Sequence, residues 1–251
     1  MDINLYEMIF KRKSFHLFRN TGTEHISVHQ LDNIREKFKE LEPLNKNIKV
    51  DIEIAPAEET TCKRGEEYCV LLYSEEKDNY LQNIGYIGEQ LDLYLASMNI
   101  GALWYGIGKT EHRMLKNLCF VIMIAIKKID RNNFRKDMYK SKRKPLDEIW
   151  IGETIENVSN VIRFAPSACN TQPWIVENAN NTLSVYRYKK PGKRGLMPAN
   201  MVTFYNRIDM GIFLCFMELC LNHENIYYKR ELFYDNQDDS KVLTAEYRLL
   251  S

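Results

Sequence analysis

Apolar residues recur at helical spacing in two long stretches of the chain. The first stretch, residues 84–100, keeps its apolar side chains on one face, and Gly101 follows it as a C-terminal stop signal. The second stretch, residues 209–223, is apolar almost all round, which predicts a helix buried on most sides with Asp209 as its N-cap. The apolar face of the first stretch consists of Ile84, Ile87, Leu91 and Leu95.

The two stretches match each other at a fixed distance along the chain. Gly88 and Gly211 stand 123 residues apart (211 − 88), and the same offset relates further pairs of identical residues. These pairs are Asn99 with Asn222, Pro43 with Pro166 and Asn47 with Asn170. An offset near half the chain length indicates two fused copies rather than a repeat array. We therefore predict two halves, residues 1–144 and 145–251.

Each half is predicted to contain an amphipathic helix, a turn with proline and asparagine, a β segment and a long central helix. In the first half these fall at 27–42, 43–47, 48–54 with 69–73, and 84–100. In the second half they fall at 152–164, 165–173, 174–176 with 183–188, and 209–223. The apolar run 119–126 has the length of a buried strand, although periodicity alone leaves a helix open. The layout is that of an α+β protein.

Composition and charge narrow the class of partner. The 251 residues are 45% hydrophobic and 27% charged, as in an ordinary folded globular protein. Lysine and arginine (35) nearly balance aspartate and glutamate (34), so no overall field favours nucleic acid or an anionic membrane surface. No apolar run approaches the roughly 20 residues that span a bilayer. We expect a small-molecule partner, and neither nucleic acid nor membrane.

The cysteines indicate the cellular compartment, and a run of basic residues indicates a solvent-exposed segment. The six cysteines form no C-x-x-C pair, and the N-terminus is polar and acidic where a secretory signal needs a basic start. We therefore expect reduced thiols, a cytoplasmic location and no metal site. Residues 127–144 hold nine lysines and arginines against two aspartates. Such a run is typical of a solvated connector and, secondarily, of an anion-binding or nucleic-acid surface.

Two short strings carry the candidate chemistry. Residues 165–174, A-P-S-A-C-N-T-Q-P-W, form a turn whose Ser, Asn and Gln side chains can hydrogen-bond a planar heteroaromatic ligand. The alternative is an ordinary Asx or Ser turn with Trp174 as a core anchor. Residues 12–18, R-K-S-F-H-L-F, follow the apolar-periodic stretch 5–10 and offer an arginine fork, a hydroxyl and a histidine to a phosphate. The alternative there is a solvated helix end.

Together these strings resemble the nitroreductase family of flavoproteins, specifically its single-chain variety with two fused halves. That family has R-x-S-x-[RK] near the N-terminus, P-S-x-x-N-x-Q-P-W in a turn and D-x-G on a helix; here these fall at 12–16, 166–174 and 209–211. The second string is fairly specific, the first is not, and their joint occurrence carries a resemblance that covers most of the chain. It implies an α+β nitroreductase-like fold, with two structurally similar halves forming an intrachain pseudo-dimer.

The resemblance also implies an FMN site, which two subunits share in the family. Arg12 and Ser14 would bind the ribityl phosphate, with Lys13 and His16 near it and near the pyrimidine edge of the flavin. The second half would contribute Pro166, Ser167, Ala168, Asn170 and Gln172, and the basic segment 142–146, which follows the first-half fold and includes Arg143, would reach the phosphate. Tyr105 and Gly106 lie in the stretch 103–108, where the family places backbone N–H groups near the reactive flavin nitrogen.

Two features depart from the family pattern. His16 stands where the family usually has arginine or lysine, so we hypothesise that reduced flavin is less stabilised when this histidine is neutral. The ring-holding turn occurs only once, because the first half has N-I-K-V-D at 47–51 where the second has N-T-Q-P-W at 170–174. We therefore expect one FMN per chain, in a chain that can act as a monomer; a higher oligomer stays open.

The implied activity is FMN-dependent transfer of hydride or electrons from NADH or NADPH to a small organic acceptor, such as a nitroaromatic or a quinone. The cofactor performs this chemistry, so we name no general acid or base. A flavin-binding protein with little turnover (a flavin store, sensor or electron-chain partner) and an inactive structural protein are the alternatives. A P-loop NTPase is disfavoured because Leu103 stands where its first glycine is needed. Four aromatic residues are candidates to line the ligand pocket, with a place in the hydrophobic core as the alternative for each: Trp104, Tyr105, Phe204 and Tyr205.

Overall fold

The computed structural model describes residues 4–189, 195–235 and 239–250, and its backbone divides into two compact units. The first unit comprises Met1–Tyr80 and Ile87–Met138, and the second comprises Leu81–Tyr86 and Tyr139–Ser251. The sequence places the boundary at 144–145; in the structure residues 81–86 and 139–144 group with the second unit. Among the described residues, no helix has the length and apolarity needed to cross a bilayer.

The first unit is built on an antiparallel sheet of five strands. Its sheet order is β1–β2–β5–β3, and the short β4 pairs with β5 as a hairpin. Residues 81–86 of α3 group with the second unit and the rest of that helix with the first. The elements are α1 (Leu5–Lys11), α2 (Val28–Glu40), β1 (Val50–Pro56), β2 (Tyr68–Ser74), α3 (Tyr80–Ser97), β3 (Ile100–Tyr105), β4 (Met114–Leu115) and β5 (Leu118–Lys128).

The second unit also contains a five-stranded sheet. Its order is β6–β7–β8–β10–β9, with β6 parallel to β7 and all other pairs antiparallel. The elements are β6 (Trp150–Gly152), α4 (Glu156–Ile162), β7 (Trp174–Ala179), β8 (Thr182–Tyr188), α5 (Val202–His223), β9 (Tyr228–Leu232) and β10 (Lys241–Leu249).

The two sheets share one connectivity. In each unit a helix leads into a pair of antiparallel strands, a long helix follows, and two further strands join the same sheet; the fifth strands, β4 and β6, lie outside this shared order. The spatial order is first strand, second, fourth, third in both, as β1–β2–β5–β3 and as β7–β8–β10–β9. The predicted fold class, α+β with two structurally similar halves, is confirmed.

The helix boundaries follow local signals in part. Helix α2 begins with a capping box, in which Ser27 accepts from the Gln30 backbone N–H and Gln30 accepts from that of Ser27. Its buried face consists of Leu31, Ile34 and Phe38, at helical spacing. The apolar run 119–126 is confirmed as a strand, the centre of β5.

Two predicted helix ends are wrong. Asp209 does not cap α5, because this helix begins at Val202 and Asp209 lies buried in its third turn. Gly101 does not stop α3, because it lies within β3; the chain leaves the helix at Asn99, whose φ of 56° is left-handed. Asparagine tolerates this conformation better than other residues with a Cβ, so it serves as the C-terminal signal that we assigned to glycine.

Within the second unit, residues 81–86 cross α5 at two glycines. A Cβ on Gly211 would overlap the carbonyl oxygen of Gln82, and a Cβ on Gly85 would overlap that of Ile208. Glycine at both positions therefore allows a backbone approach that no side chain permits. Gly85 and Ile208 are also 123 residues apart (208 − 85), so the crossing joins two positions that this offset pairs.

Candidate functional site

The turn that follows α4 has an unusual backbone. Cys169, Asn170 and Gln172 all adopt positive φ, at 49°, 54° and 49°. Residues with a Cβ in this region cost on the order of 1–3 kcal/mol each unless their surroundings hold them there. Two of the three are not asparagine, so the strain is not explained by residue preference alone. Such strain is concentrated at ligand-binding and switch segments, which makes this turn the candidate site.

The basic segment 142–144 holds one side of the turn. Arg143 donates from Nη1 to Asn170 Oδ1 at 3.1 Å and from Nη2 to the Phe164 carbonyl at 3.1 Å. Lys144 donates from its backbone N–H to Gln172 Oε1 at 2.8 Å and from Nζ to the Gln172 carbonyl at 2.6 Å. The structure therefore brings together Arg143, Asn170 and Gln172, which the sequence predicted for one site.

Helix α5 holds the other side of the turn. The Ala168 backbone N–H donates to Asp209 Oδ1 at 2.9 Å, and within the turn the Gln172 N–H donates to Ser167 Oγ at 2.9 Å. Asp209 is buried, and burial raises the pKa of its carboxyl to about 8, against which the Ala168 N–H acts in part. A carboxyl on a buried helix thus fixes the backbone at the motif residues Ser167 and Ala168.

Trp174, the last residue of the motif, is a core residue. Its side chain is fully buried and stacks on Phe213 with ring centroids 4.7 Å apart and an interplanar angle of 21°. The interpretation of Trp174 as a core anchor is therefore confirmed. Pro166, which opens the motif, is also buried. The exposed residues of the turn are Cys169 and Asn170.

Arg12, the predicted phosphate ligand of the first half, lies buried among side chains of its own unit. Its Nε is 2.8 Å from Asp92 Oδ2 and 3.3 Å from Glu89 Oε1, and its Nη2 is 2.8 Å from Asp92 Oδ2. Nη2 also donates to Ser14 Oγ at 3.2 Å. Trp104 donates from its indole N–H to the same Asp92 oxygen at 3.1 Å. The phosphate role of Arg12 stays a prediction, while its contacts assign it to an internal ion-pair cluster.

This cluster has two carboxyl groups for one guanidinium. Burial raises the pKa of Glu89 well above its usual range; Arg12 opposes the shift and the Asp92 carboxylate adds to it. Keeping a proton on Glu89 limits the unpaired charge in the interior, which is costly when it has no partner. The arrangement links α1, α3 and β3 within the first unit.

The other predicted residues of the first unit lie along β3 or at the surface. Ser14 forms a parallel bridge with Ala102 of β3, and is half-buried. Lys13 and His16 are exposed, and Lys13 donates from Nζ to the Asn133 carbonyl at 3.1 Å. Tyr105 ends β3 and Gly106 follows it, both half-buried. The structure thus brings Arg12, Ser14 and the start of the stretch 103–108 together on one edge of the sheet.

Sequence reasoning missed Glu89, Asp92 and the anchoring role of Asp209. A signal for the first two was present: acidic residues at positions i and i+3 of a helix, beside the apolar Ile87 and Leu91. Acidic side chains on a buried face are almost always paired, so they predict a cationic partner. No such signal existed for Asp209, whose partner is a backbone N–H of a separate turn.

The architecture defines the class of protein. A crystal structure of a protein from Thermotoga maritima, titled a putative nitroreductase, superposes with a TM-score of 0.63 at 16% identity, covering 99% of this chain and 95% of that one. The two proteins share the nitroreductase-like fold. The family model described as "Putative TM nitroreductase" matches residues 4–221. The chain belongs to this family.

Shorter solved structures match part of the chain. A protein of Desulfovibrio desulfuricans, titled a putative nitroreductase in complex with FMN, is 18% identical, with a TM-score of 0.42 over 62% of this chain and 99% of that one. A protein of Bacteroides thetaiotaomicron, titled a putative NADH dehydrogenase/NAD(P)H nitroreductase, is 12% identical, with a TM-score of 0.42 over 61% and 100%. A search of curated proteins found no match.

Proposed function

We propose that this chain is an FMN-dependent oxidoreductase, which passes hydride or electrons from NADH or NADPH through bound FMN to a small organic acceptor such as a nitroaromatic or a quinone. Membership of the nitroreductase-like family supports the reaction class. The strained turn 167–172 is the observation that carries the flavin assignment, because it coincides with the motif that suggests an FMN site. A reducing, cytoplasmic compartment is part of the proposal and is compatible with six free cysteines.

The second unit offers groups that fit FMN. Asn170 is exposed, and its Nδ2 donates one N–H to the Lys142 carbonyl, which leaves its second N–H to hydrogen-bond the polar edge of an isoalloxazine ring. Lys142 is exposed, and its ammonium group has no side-chain partner in the described part of the chain, so it can meet a phosphate. Arg143 contributes differently: its contacts to Asn170 and Phe164 fix the turn.

In the first unit, residues other than Arg12 are available to contact FMN. The Arg12 N–H groups already face Asp92, Glu89 and Ser14, so we assign Arg12 to positioning the Ser14 hydroxyl. Within the first unit, Lys13, His16 and Ser14 are exposed or half-buried and could offer a phosphate an ammonium group, an imidazole and a hydroxyl. Bound FMN supplies the hydride chemistry, and the side chains bind and orient it without a general acid or base.

The test compares two lysines of the same basic segment. Lys142→Ala is expected to weaken FMN binding about tenfold through loss of a charge-assisted phosphate contact. Lys140→Ala is the control, because Lys140 is also exposed but lies outside the contacts that hold the turn. FMN fluorescence quenching gives both affinities. Equal FMN affinities for the two variants would show that Lys142 does not contact the phosphate.

Reduction of the bound flavin tests the activity itself. Anaerobic mixing with NADH and with NADPH in a stopped-flow spectrophotometer is expected to bleach the flavin band with at least one donor, followed by reoxidation with a quinone or nitroaromatic. A bound flavin that neither donor reduces would contradict the reductase assignment. It would favour a flavin store, a sensor or an electron-chain partner.

A further inference from the structure

A loop in the first unit gathers two thiols and a carboxylate. The Sγ atoms of Cys62 and Cys69 and a carboxylate oxygen of Glu66 all lie within 4.8 Å of one another. Both cysteines are fully buried, whereas Glu66 is half-buried. The three come from one eight-residue segment with the pattern C-x-x-x-E-x-x-C, which follows a short 3₁₀ turn and ends inside β2, where Cys69 lies. The two sulfur atoms therefore lie close together, although the sequence contains no C-x-x-C pair.

The loop backbone is arranged around the sulfur atoms. Thr60 Oγ1 lies 3.5 Å from Cys69 Sγ and accepts from the Cys62 backbone N–H at 3.3 Å. Gly65 adopts a left-handed φ of +88°, a conformation that favours glycine, and so turns the chain back between the two cysteines. The next residue, Glu66, is fixed by the Arg64 backbone N–H, which donates to its Oε2 at 2.7 Å.

The surroundings of the sulfurs are apolar. Cys62 and Cys69 belong to a buried cluster with Phe15, Phe18 and Leu103. Thiolates in such a place need a positive partner, because burial of an uncompensated charge is costly. Lys63 lies beside the loop, where its Nζ donates to the Thr60 carbonyl at 3.2 Å. Lys63 supplies one positive charge. Two thiolates and one carboxylate carry three negative charges, so a divalent cation would bring the total charge of the group to zero.

We infer that Cys62, Glu66 and Cys69 bind one thiophilic divalent cation of the zinc type. Two thiolates and a carboxylate are ligands that Zn²⁺ selects, with Zn–S bonds of about 2.3 Å and Zn–O bonds of about 2.1 Å. Ligand atoms at such bond lengths are about 3.5–4 Å apart around a tetrahedral ion, so small side-chain rotations complete the site. A water molecule is expected as the fourth ligand. The site fastens the loop to β2 and requires no flavin.

The test uses Co²⁺ as a spectroscopic probe on the full chain, with thiols kept reduced by a phosphine and counted before titration. Wild type is expected to bind one Co²⁺ per chain, with a sulfur-to-cobalt charge-transfer band and visible d–d bands of four-coordinate intensity, and Zn²⁺ should displace it. Cys62→Ser and Cys69→Ser should each weaken the charge-transfer band and the affinity, and the double variant should abolish the band. Glu66→Gln should weaken the affinity about tenfold or more while keeping that band.

Matched controls separate loss of the site from loss of the fold. Cys119→Ser removes a thiol of the same unit that is half-exposed and lies outside the cluster, so its titration should match wild type. Glu66→Gln keeps the buried sulfurs, so its weakened affinity stands even where a cysteine variant fails to fold. A reduced wild type without the charge-transfer band, or a band that survives in Cys62→Ser/Cys69→Ser, would overturn the inference. Flavin content is measured alongside and should not change, so this outcome is independent of the proposed function.

Discussion

Arg12 is a motif residue whose guanidinium is bound by two buried carboxyl groups of α3. Replacing it with methionine keeps the aliphatic stem and leaves Asp92 and Glu89 without their cation. Removing one member of a buried ion pair typically costs about 3–5 kcal/mol. We expect a loss of that size in the free energy of unfolding, measured by urea titration monitored by circular dichroism.

The control for Arg12 is its exposed neighbour. Lys13→Met should change the free energy of unfolding by less than about 0.5 kcal/mol, because surface substitutions rarely do more. If Arg12→Met lowers the free energy of unfolding by less than about 1 kcal/mol, the guanidinium is not needed for the stability of the unit. That result would favour the predicted role of Arg12 as a phosphate ligand.

Asp209 makes the stability of the protein depend on pH. Its pKa is raised by burial to about 8, from an ordinary value of 3.8. Between these values the folded carboxyl keeps a proton that the unfolded chain has lost, so the free energy of unfolding falls as the pH rises, by at most about 1.4 kcal/mol per unit. Asp209→Asn keeps an acceptor for the Ala168 N–H and removes this dependence.

The Asp209 measurement is a set of urea titrations between roughly pH 5 and pH 10, a range that extends to both sides of the raised pKa of about 8. Asp209→Asn should gain stability over wild type as the pH rises, and the gain should level off above the folded pKa. Asp239→Asn, at an exposed position, should follow wild type throughout. Parallel curves for wild type and Asp209→Asn would refute the assignment of a raised pKa.

At the scale of elements, Gly211 sets how closely α5 approaches residues 81–86. In Gly211→Ala the new methyl group meets backbone, the Gln82 carbonyl, which cannot rotate away. Overpacking of this kind costs about 1–3 kcal/mol or more and exceeds the gain of up to about 1 kcal/mol in helix propensity. We expect a net loss of about 2 kcal/mol in urea titrations.

Gly88→Ala provides the comparison for Gly211. It occupies the equivalent position of the first half, and its added methyl group would meet the Trp104 ring edge, a side chain, rather than backbone. Its loss should therefore be smaller than that of Gly211→Ala. Equal or greater stability in Gly211→Ala would mean that the two backbones have room to separate.

The elements were predictable where their signal was local and periodic. Helix α3 and strand β5 have continuous apolar patterns, and both were found. The start of α5 was not, because Asn206 and Arg207 interrupt the apolar pattern and no capping side chain marks Met201. Strand β3 was missed since it follows α3 directly, and Gly101 within it was taken for a helix stop.

At the scale of the whole chain, the offset of 123 residues read from the sequence corresponds to a repeated connectivity. Strands β5 and β10 begin 123 residues apart (241 − 118), and both occupy the third place in their four-strand order. Spacing could predict this because duplication preserves element order. The contacts of the candidate site could not be predicted in the same way, because Asp209 meets the turn at the Ala168 backbone N–H and Arg143 is also held by the Phe164 carbonyl, and no sequence pattern reports such backbone contacts.

The content of FMN per chain tests the central claim most directly. The protein is purified without added cofactor, its visible spectrum is recorded, and FMN is released by heat and quantified against protein concentration. The strained turn with the P-S-x-x-N-x-Q-P-W motif occurs once in the part of the chain that the structure describes, so we expect about one FMN per chain. Two per chain would contradict the single site, and none, even after soaking with FMN, would contradict the assignment of this protein as a flavoenzyme.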